Sequence, residues 1–537
     1  MKRILQLIRC EFVKDFSLVK IALCGVILFL VSWIFLSFVS NIYYRYHETP
    51  REFYQENVDY IIQERDNAIA DNAADPTFYH QLSEDVYTYM VPYYEDALDN
   101  PIDFIEYYLT LFLRSYSNQL VLESLIEHYG TDYATQLILD DDPEFNRSNS
   151  YDSIIKYSSY TLEDLNQELV REQTICSILE QVITTGEYYH VAEYWQYINP
   201  DSNGYLNRCY QYIIDNKIVD EDDVRIQNQC FYYELEAQEK ELVVPTLEEF
   251  MDADPYQYFW LETYDQVVRY YEIQNEKIDQ DKQIVEYAIE HNVPHGIVEA
   301  SESYDYVEPT SQTYMDYGLY LAFAVIILLT ICYAGTISNE HKMGTVKLLY
   351  TRKATRFEVI TAKLIYVIMN LYVLWIIASI IFFFLVGSQY GFADLFGSKI
   401  ITLFGNTMSV PYLLWYFGSM LICSLPLLFY VTVLVLCSAF IPTTAVTSVL
   451  MTVGTIFFSI IWILINLMWS VDISAVAFLP FSYIEYAFTY FKSSFYMYSV
   501  ARTGVPMGSY GLVVSLVCAV LVFIATIIFY QKKDIKN

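Results

Sequence analysis

The 537-residue chain has no Gly-x-x-x-x-Gly-Lys-Ser/Thr run, so it lacks the backbone cradle and lysine with which P-loop proteins hold nucleotide phosphates. It has no His-Glu-x-x-His helix. His291 and His295 have helical zinc spacing, but Pro294 lies between them and breaks that turn. Its nine cysteines include no Cys-x-x-Cys pair. Six (Cys10, Cys24, Cys332, Cys423, Cys437, Cys518) lie in or beside apolar runs, where a thiol behaves as a small hydrophobe. Cys176, Cys209 and Cys230 are an odd set that defines no disulfide framework; a Cys209–Cys230 bridge stays open beside the favoured reading of free buried thiols. Base is scarce, with 31 Lys and Arg against 65 Asp and Glu. No metal-binding, nucleotide-binding or catalytic pattern survives in this chain.

The acid is unevenly placed. Between Asn41 and Gln312 lie 56 of the 65 acids and 14 of the 31 bases, and the rest of the chain is net basic. The low pI of about 4.4 therefore describes one domain. Such a field repels nucleic acid and anionic lipid and attracts cations or cationic peptides. With 54% hydrophobic residues, the remainder reads as a membrane protein.

Ile4, Leu5, Ile8, Phe12 and Phe16 share one helical face of residues 1–16, with Lys2, Arg3 and Lys14 off it, the pattern of a helix lying in the membrane interface. A first span follows within 17–40. Residues 41–314 are rich in tyrosine and poor in glycine. Ile102–Tyr129, Leu162–Ile183 and Glu262–His291 carry apolar spacings of three and four, so this domain is expected to be mostly helical, with loops near Asp140–Pro143, Asn199–Gly204 and Val219–Asp223. Asn199, Asp201, Asn203 and Gly204 match early calcium-loop positions, but Tyr210 stands where the bidentate Glu belongs, so a turn is the better reading. Strand-like alternation is rare and no repeat is evident.

Residues 315–537 return to the membrane, with span-length runs at Tyr317–Ile337, Leu364–Gly387, Tyr412–Phe440, Ala445–Met468 and Gly511–Tyr530. The expected fold is thus an all-α integral membrane protein of six transmembrane helices plus a large, mostly helical extracellular domain. Polar residues in these runs are few (Asn370, Ser379, Ser424, Ser438, Thr443, Ser448, Asn466) and uncharged. An ion-coupled transporter would carry ionisable groups there, so amphipathic or lipid-like cargo fits better. Most bases outside the acidic domain fall in three segments: the N-terminal helix, residues 338–363 and the tail after Gln531. Lysine and arginine resist translocation, which places both termini in the cytoplasm and residues 41–314 outside a plasma membrane. Residues 471–509, aromatic and too short for two crossings, are expected to be helical or shielded at the outer face.

The organising stretch is Ser338–Leu364, SNEHKMGTVKLLYTRKATRFEVITAKL, a basic amphipathic loop between two spans. Glu340, Gly344, Thr345, Leu348, Leu349, Thr351, Arg356, Lys363 and Leu364 follow a pattern that resembles the first cytosolic loop of ATP-binding-cassette type-2 permeases. Two positions depart from it: Lys342 replaces a common acid and Arg352 a proline. The resemblance spans the N-terminal helix, the first span and residues 315–537. It implies that the loop is a coupling element docking on a separate ABC ATPase subunit, which carries ATP and Mg, with no cofactor in this chain. It further implies a second permease copy or paralogue as partner, and short re-entrant helices within 471–509. In the coupling role, Gly344 allows a tight helix entry, and Leu348 and Leu349 pack against membrane or partner. Lys347, Arg352 and Arg356 offer charge-assisted contacts to acidic ATPase surface or lipid headgroups, and Glu340, Lys342 and Thr345 complete the ATPase-coupling set. Bacterial members of the family often export, or confer immunity to, antimicrobial peptides, so a cationic peptide is one cargo expectation. A mechanotransmission protein and a non-transporting surface receptor are the alternatives.

Overall fold

The computed structural model describes residues 2–15, 18–42, 50–99, 102, 104–133, 156–157, 159–200, 204–253, 258, 261, 263–297, 310–342, 355–403, 405–454 and 507–532. The chain divides into two compact units. One comprises Met1–Tyr44, Gln238–Tyr287 and His295–Asn537; the other comprises Arg45–Ala237 with Ala288–Pro294. The division gives Gln238–Tyr287, part of the acidic stretch, to the unit that holds the apolar helices.

In chain order, α1 (Lys2–Asp15) and α2 (Leu18–Ile42) open the membrane unit. The acidic unit contains α3 (Pro50–Ala74), α4 (Phe78–Asp99), α5 (Ile105–Glu127), α6 (Leu162–Thr185), α7 (Tyr188–Ile198) and α8 (Tyr205–Asp215). The helices α9 (Val224–Glu241), α10 (Leu247–Asp252) and α11 (Tyr264–His291) follow. The helical expectation for this stretch holds, and the sequence explains where helices begin and end. Thr161 and Asp164 form a reciprocal capping box at the start of α6, and Gly186 ends the helix in a left-handed conformation at φ +66°. A side chain there would also strike Ile102, whose Cδ1 lies 2.5 Å from the position a Cβ would take. In this unit α3 packs on α4, α5 on α6 and α6 on α7. Their core includes Tyr79, Met90, Leu109, Phe112, Val121, Leu122, Leu179 and Val182. Trp195 donates its indole hydrogen to the Tyr108 hydroxyl across 2.8 Å, satisfying a polar atom inside that core.

The membrane unit resumes with a hydrophobic helix through Ser311–Glu340, built from α12 (Ser311–Asp316), a 3-10 turn (Tyr317–Leu321), α13 (Ala322–Tyr333) and α14 (Ser338–Lys342). It continues with α15 (Arg356–Tyr390), α16 (Tyr412–Phe440), α17 (Thr444–Gly454) and α18 (Met507–Lys532). Among the described residues, five helices are long and apolar enough to cross a membrane. The expected span Ala445–Met468 begins as α17 and then passes outside the described residues. So does the segment 471–509, except for its last three residues, which open α18.

The large side chains fully buried in this unit are mostly aromatic: Trp375, Tyr366, Phe382, Tyr412, Tyr416 and Tyr430. Tyrosine hydroxyls there find partners on neighbouring helices, Tyr416 with Ser379 at 3.2 Å and Tyr372 with Ser424 at 2.7 Å. In an apolar medium such pairing removes the cost of a bare hydroxyl. Gly318 permits the close approach of Phe382 and Tyr416, whose atoms stand 2.8 and 2.9 Å from where a Cβ would be.

One element departs from the all-helical expectation. Between α15 and α16 lies an antiparallel hairpin, β1 (Ser398–Leu403) and β2 (Asn406–Pro411), in register from Ser398–Pro411 to Leu403–Asn406. Gly405 in its turn has φ +77°.

The nine cysteines are free thiols, so Cys209 and Cys230 are unbridged. Among the described residues, no group of three or more His, Cys, Asp and Glu is placed to hold a metal.

Candidate functional site

The longest helix explains the site. At 35 residues α15 is about 52 Å long at 1.5 Å per residue, well beyond the roughly 30 Å of a hydrocarbon core. So long a helix has turns to spare beyond the apolar layer, and its charged residues, Arg356, Glu358 and Lys363, all lie in its first eight positions. The helix starts at a capping box: Thr355 accepts from the Glu358 amide, and the Glu358 carboxylate takes the Thr355 backbone and hydroxyl hydrogens at 2.9 and 3.1 Å.

Two turns into α15, Lys363 is 1% exposed. Its ammonium lies 3.0 Å from Glu11 Oε1, 2.9 Å from Glu340 Oε1, and donates to the Thr336 carbonyl at 2.9 Å. The three hydrogens of one α15 lysine thus meet three acceptors from two other elements, α1 and the turn and short helix that follow α13. Glu11 and Glu340 are buried too, at 8% and 5%. Three charges out of water cost free energy unless each is paired and hydrogen-bonded, and here each is. Phe12, next to Glu11, sets its ring edge-on to Tyr366 at 4.9 Å, so α1 is held against α15 by an apolar contact beside the ionic one.

A second clamp lies at the same end. The Arg356 guanidinium donates to the carbonyls of Tyr530 and Gln531 at 2.8 and 2.7 Å, near the C-terminus of α18. Carbonyls in the last turn of a helix carry the negative end of the helix dipole, which a guanidinium neutralises. A third polar cluster joins Ile337, Ser338, Ser438 and Thr444: the Ile337 amide donates to Ser438 Oγ at 3.0 Å, and Thr444 Oγ1 to Asn339 Oδ1 at 2.7 Å.

Of the sequence-predicted site residues, Glu340 is turned inward onto Lys363, Lys342 is exposed, and Arg356 is committed to α18. Gly344, Thr345, Lys347, Leu348, Leu349 and Arg352 lie outside the described residues. Sequence reasoning missed Glu11 and gave Lys363 no structural work. The signal was present: Glu11 is the acid three residues after Ile8 on the buried stripe of a basic helix.

At the other end of α15 a different ion pair stands. Lys399 on β1 reaches Asp316 Oδ2 at 2.7 Å, Tyr412 donates to Asp316 Oδ1 at 2.8 Å, and the Lys399 ammonium sits 3.8 Å from the Trp415 ring centre. Gln312 donates to the Asp394 carbonyl at 2.7 Å.

A bundle of long apolar helices, fastened at both ends by buried or half-buried ion pairs and with α1 packed against one of them, is the build of a multi-pass membrane protein. The chain belongs to the family described as ABC-2 family transporter protein, whose model matches residues 145–535. The match takes in much of the acidic stretch as well as the later spans, and leaves α1 to α5 outside it. No curated protein and no solved structure matches the chain.

Proposed function

We propose that this chain is the membrane subunit of an ATP-driven exporter in the plasma membrane. Both termini lie in the cytoplasm and residues 41–314 outside. ATP and Mg bind a separate ABC ATPase, and a second copy or paralogue completes the pathway. The observation that carries the reading is the Glu11–Lys363–Glu340 triad. It ties the interfacial helix, the first residues of the predicted coupling loop and the α15 span into one body, so a push on the loop moves a span without slack. Glu340 acts as an anchor of that loop, while Lys342, Lys347 and Arg352 are left to meet the ATPase. Arg356 extends the same body to α18. Peptide or other amphipathic cargo fits spans that hold few polar groups.

The test is co-expression with the ABC ATPase encoded beside the gene. The wild type is expected to co-purify with the ATPase and stimulate its turnover. Gly344→Pro with Lys347→Glu and Arg352→Glu is expected to lose both while the permease remains folded. An ATPase that never associates, or that binds the triple variant equally well, overturns the exporter reading in favour of a receptor.

A further inference from the structure

The acidic unit has a cleft of about 610 Å³ between α4 and α5. Its wall is aromatic. Tyr89 and Tyr116 stack with centres 4.2 Å apart and planes 20° from parallel, and Tyr93 stands 5.5 Å from Tyr89. The Tyr89 and Tyr93 hydroxyls are 3.1 Å apart, and Tyr93 donates to Glu180 Oε1 at 2.9 Å. This relay commits both hydroxyl hydrogens, that of Tyr89 to Tyr93 and that of Tyr93 to Glu180. The rim is acidic: Glu84 and Asp85 line the cleft, and Glu123 bears electrostatically on Tyr116. The cleft is lined by no Lys, Arg or His among the described residues. Partial burial, and then Glu84, raise Asp85 above its ordinary carboxylate range, the behaviour of a negative site short of positive charge.

The same unit displays what such a surface takes. The Arg208 guanidinium lies 3.9 Å over the Tyr233 ring, with Nη2 2.6 Å from Glu236. A flat cation on a tyrosine face with a carboxylate at its edge is therefore a pairing that this chain already uses. The cleft presents the tyrosine faces and the carboxylates without the cation.

We propose that the α4–α5 cleft binds a cationic side chain of a peptide, and takes arginine in preference to lysine. Tyr89 and Tyr116 supply the faces, and Asp85 and Glu84 the counter-charge. A guanidinium is planar, weakly hydrated and able to stack while donating to carboxylates; an ammonium is compact and strongly hydrated. Spacing along α4 puts Asp85, Tyr89 and Tyr93 on one stripe at i, i+4 and i+8, so an extended peptide lying along the groove meets acid and aromatic in turn. The inference gives a place to the peptide-cargo reading above and rests on that reading for its use in transport; the binding itself does not depend on it.

The test uses the full chain in nanodiscs of zwitterionic phosphatidylcholine, which removes attraction to the lipid surface. The probe is a fluorescein-labelled (Leu-Arg-Ala)4 peptide followed by fluorescence anisotropy, beside versions with lysine and with neutral citrulline at the same positions. Affinity is expected to fall from arginine to lysine to citrulline. Tyr89→Ala with Asp85→Asn is expected to weaken the arginine peptide about tenfold or more, since face and counter-charge are lost together. Tyr89→Phe, which keeps the face, is expected to bind within about twofold. Asp220→Asn with Asp222→Asn removes two charges elsewhere in the unit and is expected to change binding less than about twofold at physiological salt. Equal binding of citrulline, equal loss in the Asp220 and Asp222 variant, or equal loss in Tyr89→Phe overturns the proposal. Co-purification of the ATPase reports separately: a chain that holds its ATPase but ignores all three peptides sinks the cleft and leaves the exporter standing.

Discussion

The two units spend charge in opposite ways. The acidic unit wears its ion pairs on the outside: Arg65 with Asp66 at 2.8 Å, Arg171 with Glu168 at 3.5 Å, Arg225 with Asp223 at 2.6 Å. Water solvates both partners there, so these pairs add little. Among the apolar helices of the other unit the ion pairs are buried or half-buried. Lys363 is shared by two buried carboxylates, and Lys399 by a buried carboxylate and an indole face. Tyrosine divides the same way. In the membrane unit its hydroxyls are buried on partners such as Ser379 and Asp316, while in the acidic unit Tyr89 is 37% exposed. The difference teaches that composition sets the field of one unit and geometry the work of the other.

The comparison is broken or sharpened most strongly at Lys363. Lys363→Met leaves Glu11 and Glu340 buried without their cation and is expected to destabilise the protein by about 3–5 kcal/mol, read as an early loss of monodisperse protein on heating in detergent. Adding Glu11→Gln and Glu340→Gln removes the stranded charges and is expected to recover most of that loss, because a buried ionic group and its neutral replacement are often close in stability. If Lys363→Met melts where the wild type does, the triad is not the fastening described above.

An intermediate effect is expected at His295, which is 4% exposed and accepts the Ile297 amide hydrogen on Nδ1 at 3.0 Å. Burial pushes its imidazole down to about 4 from an ordinary 6.5. The unfolded chain then binds the extra proton in that window, so the contribution of neutral His295 is complete above pH 6.5 and is lost as pH falls toward 4. Between pH 6.5 and 5 the loss is about 2 kcal/mol at 1.36 kcal/mol per pKa unit. Thermal unfolding of His295→Gln should show a flatter pH dependence over that range, and an unchanged slope would remove His295 as its source.

The smallest effect is expected at Arg65. Arg65→Ala removes an exposed pair and should change stability by no more than about 0.5 kcal/mol in the same melt. A loss comparable to that of Lys363→Met would erase the contrast between the units.

Much of this was legible in the sequence because apolar periodicity is a strong signal. Tyr412–Phe440 was marked at both ends, by Pro411 before it and Pro442 after it, and the helix has those bounds. Leu364 was read as the start of a span that the structure begins at Arg356. Lys363 looks like a boundary when its partners are unknown, and both partners are remote in sequence. The hairpin was missed because its strands are only six residues each and follow a long apolar helix. Its sequence did carry a cue, Phe404-Gly405 between Lys399–Leu403 and Asn406–Val410. The place of Glu11 on the buried stripe of α1 was legible, but its pairing was not, since nothing local brings Glu11 to Lys363 across 352 positions.

The hairpin has a mechanical consequence. Its first strand is fastened to α12 through Lys399 and Asp316, and the Gly397 carbonyl before it accepts the amide of Tyr412, the first residue of α16. It acts as a lintel across the ends of α12 and α16, holding their spacing there. Any change in that spacing has to break the Lys399–Asp316 pair or the bond from the Tyr412 amide to the Gly397 carbonyl first, so this end of the bundle resists being pulled apart.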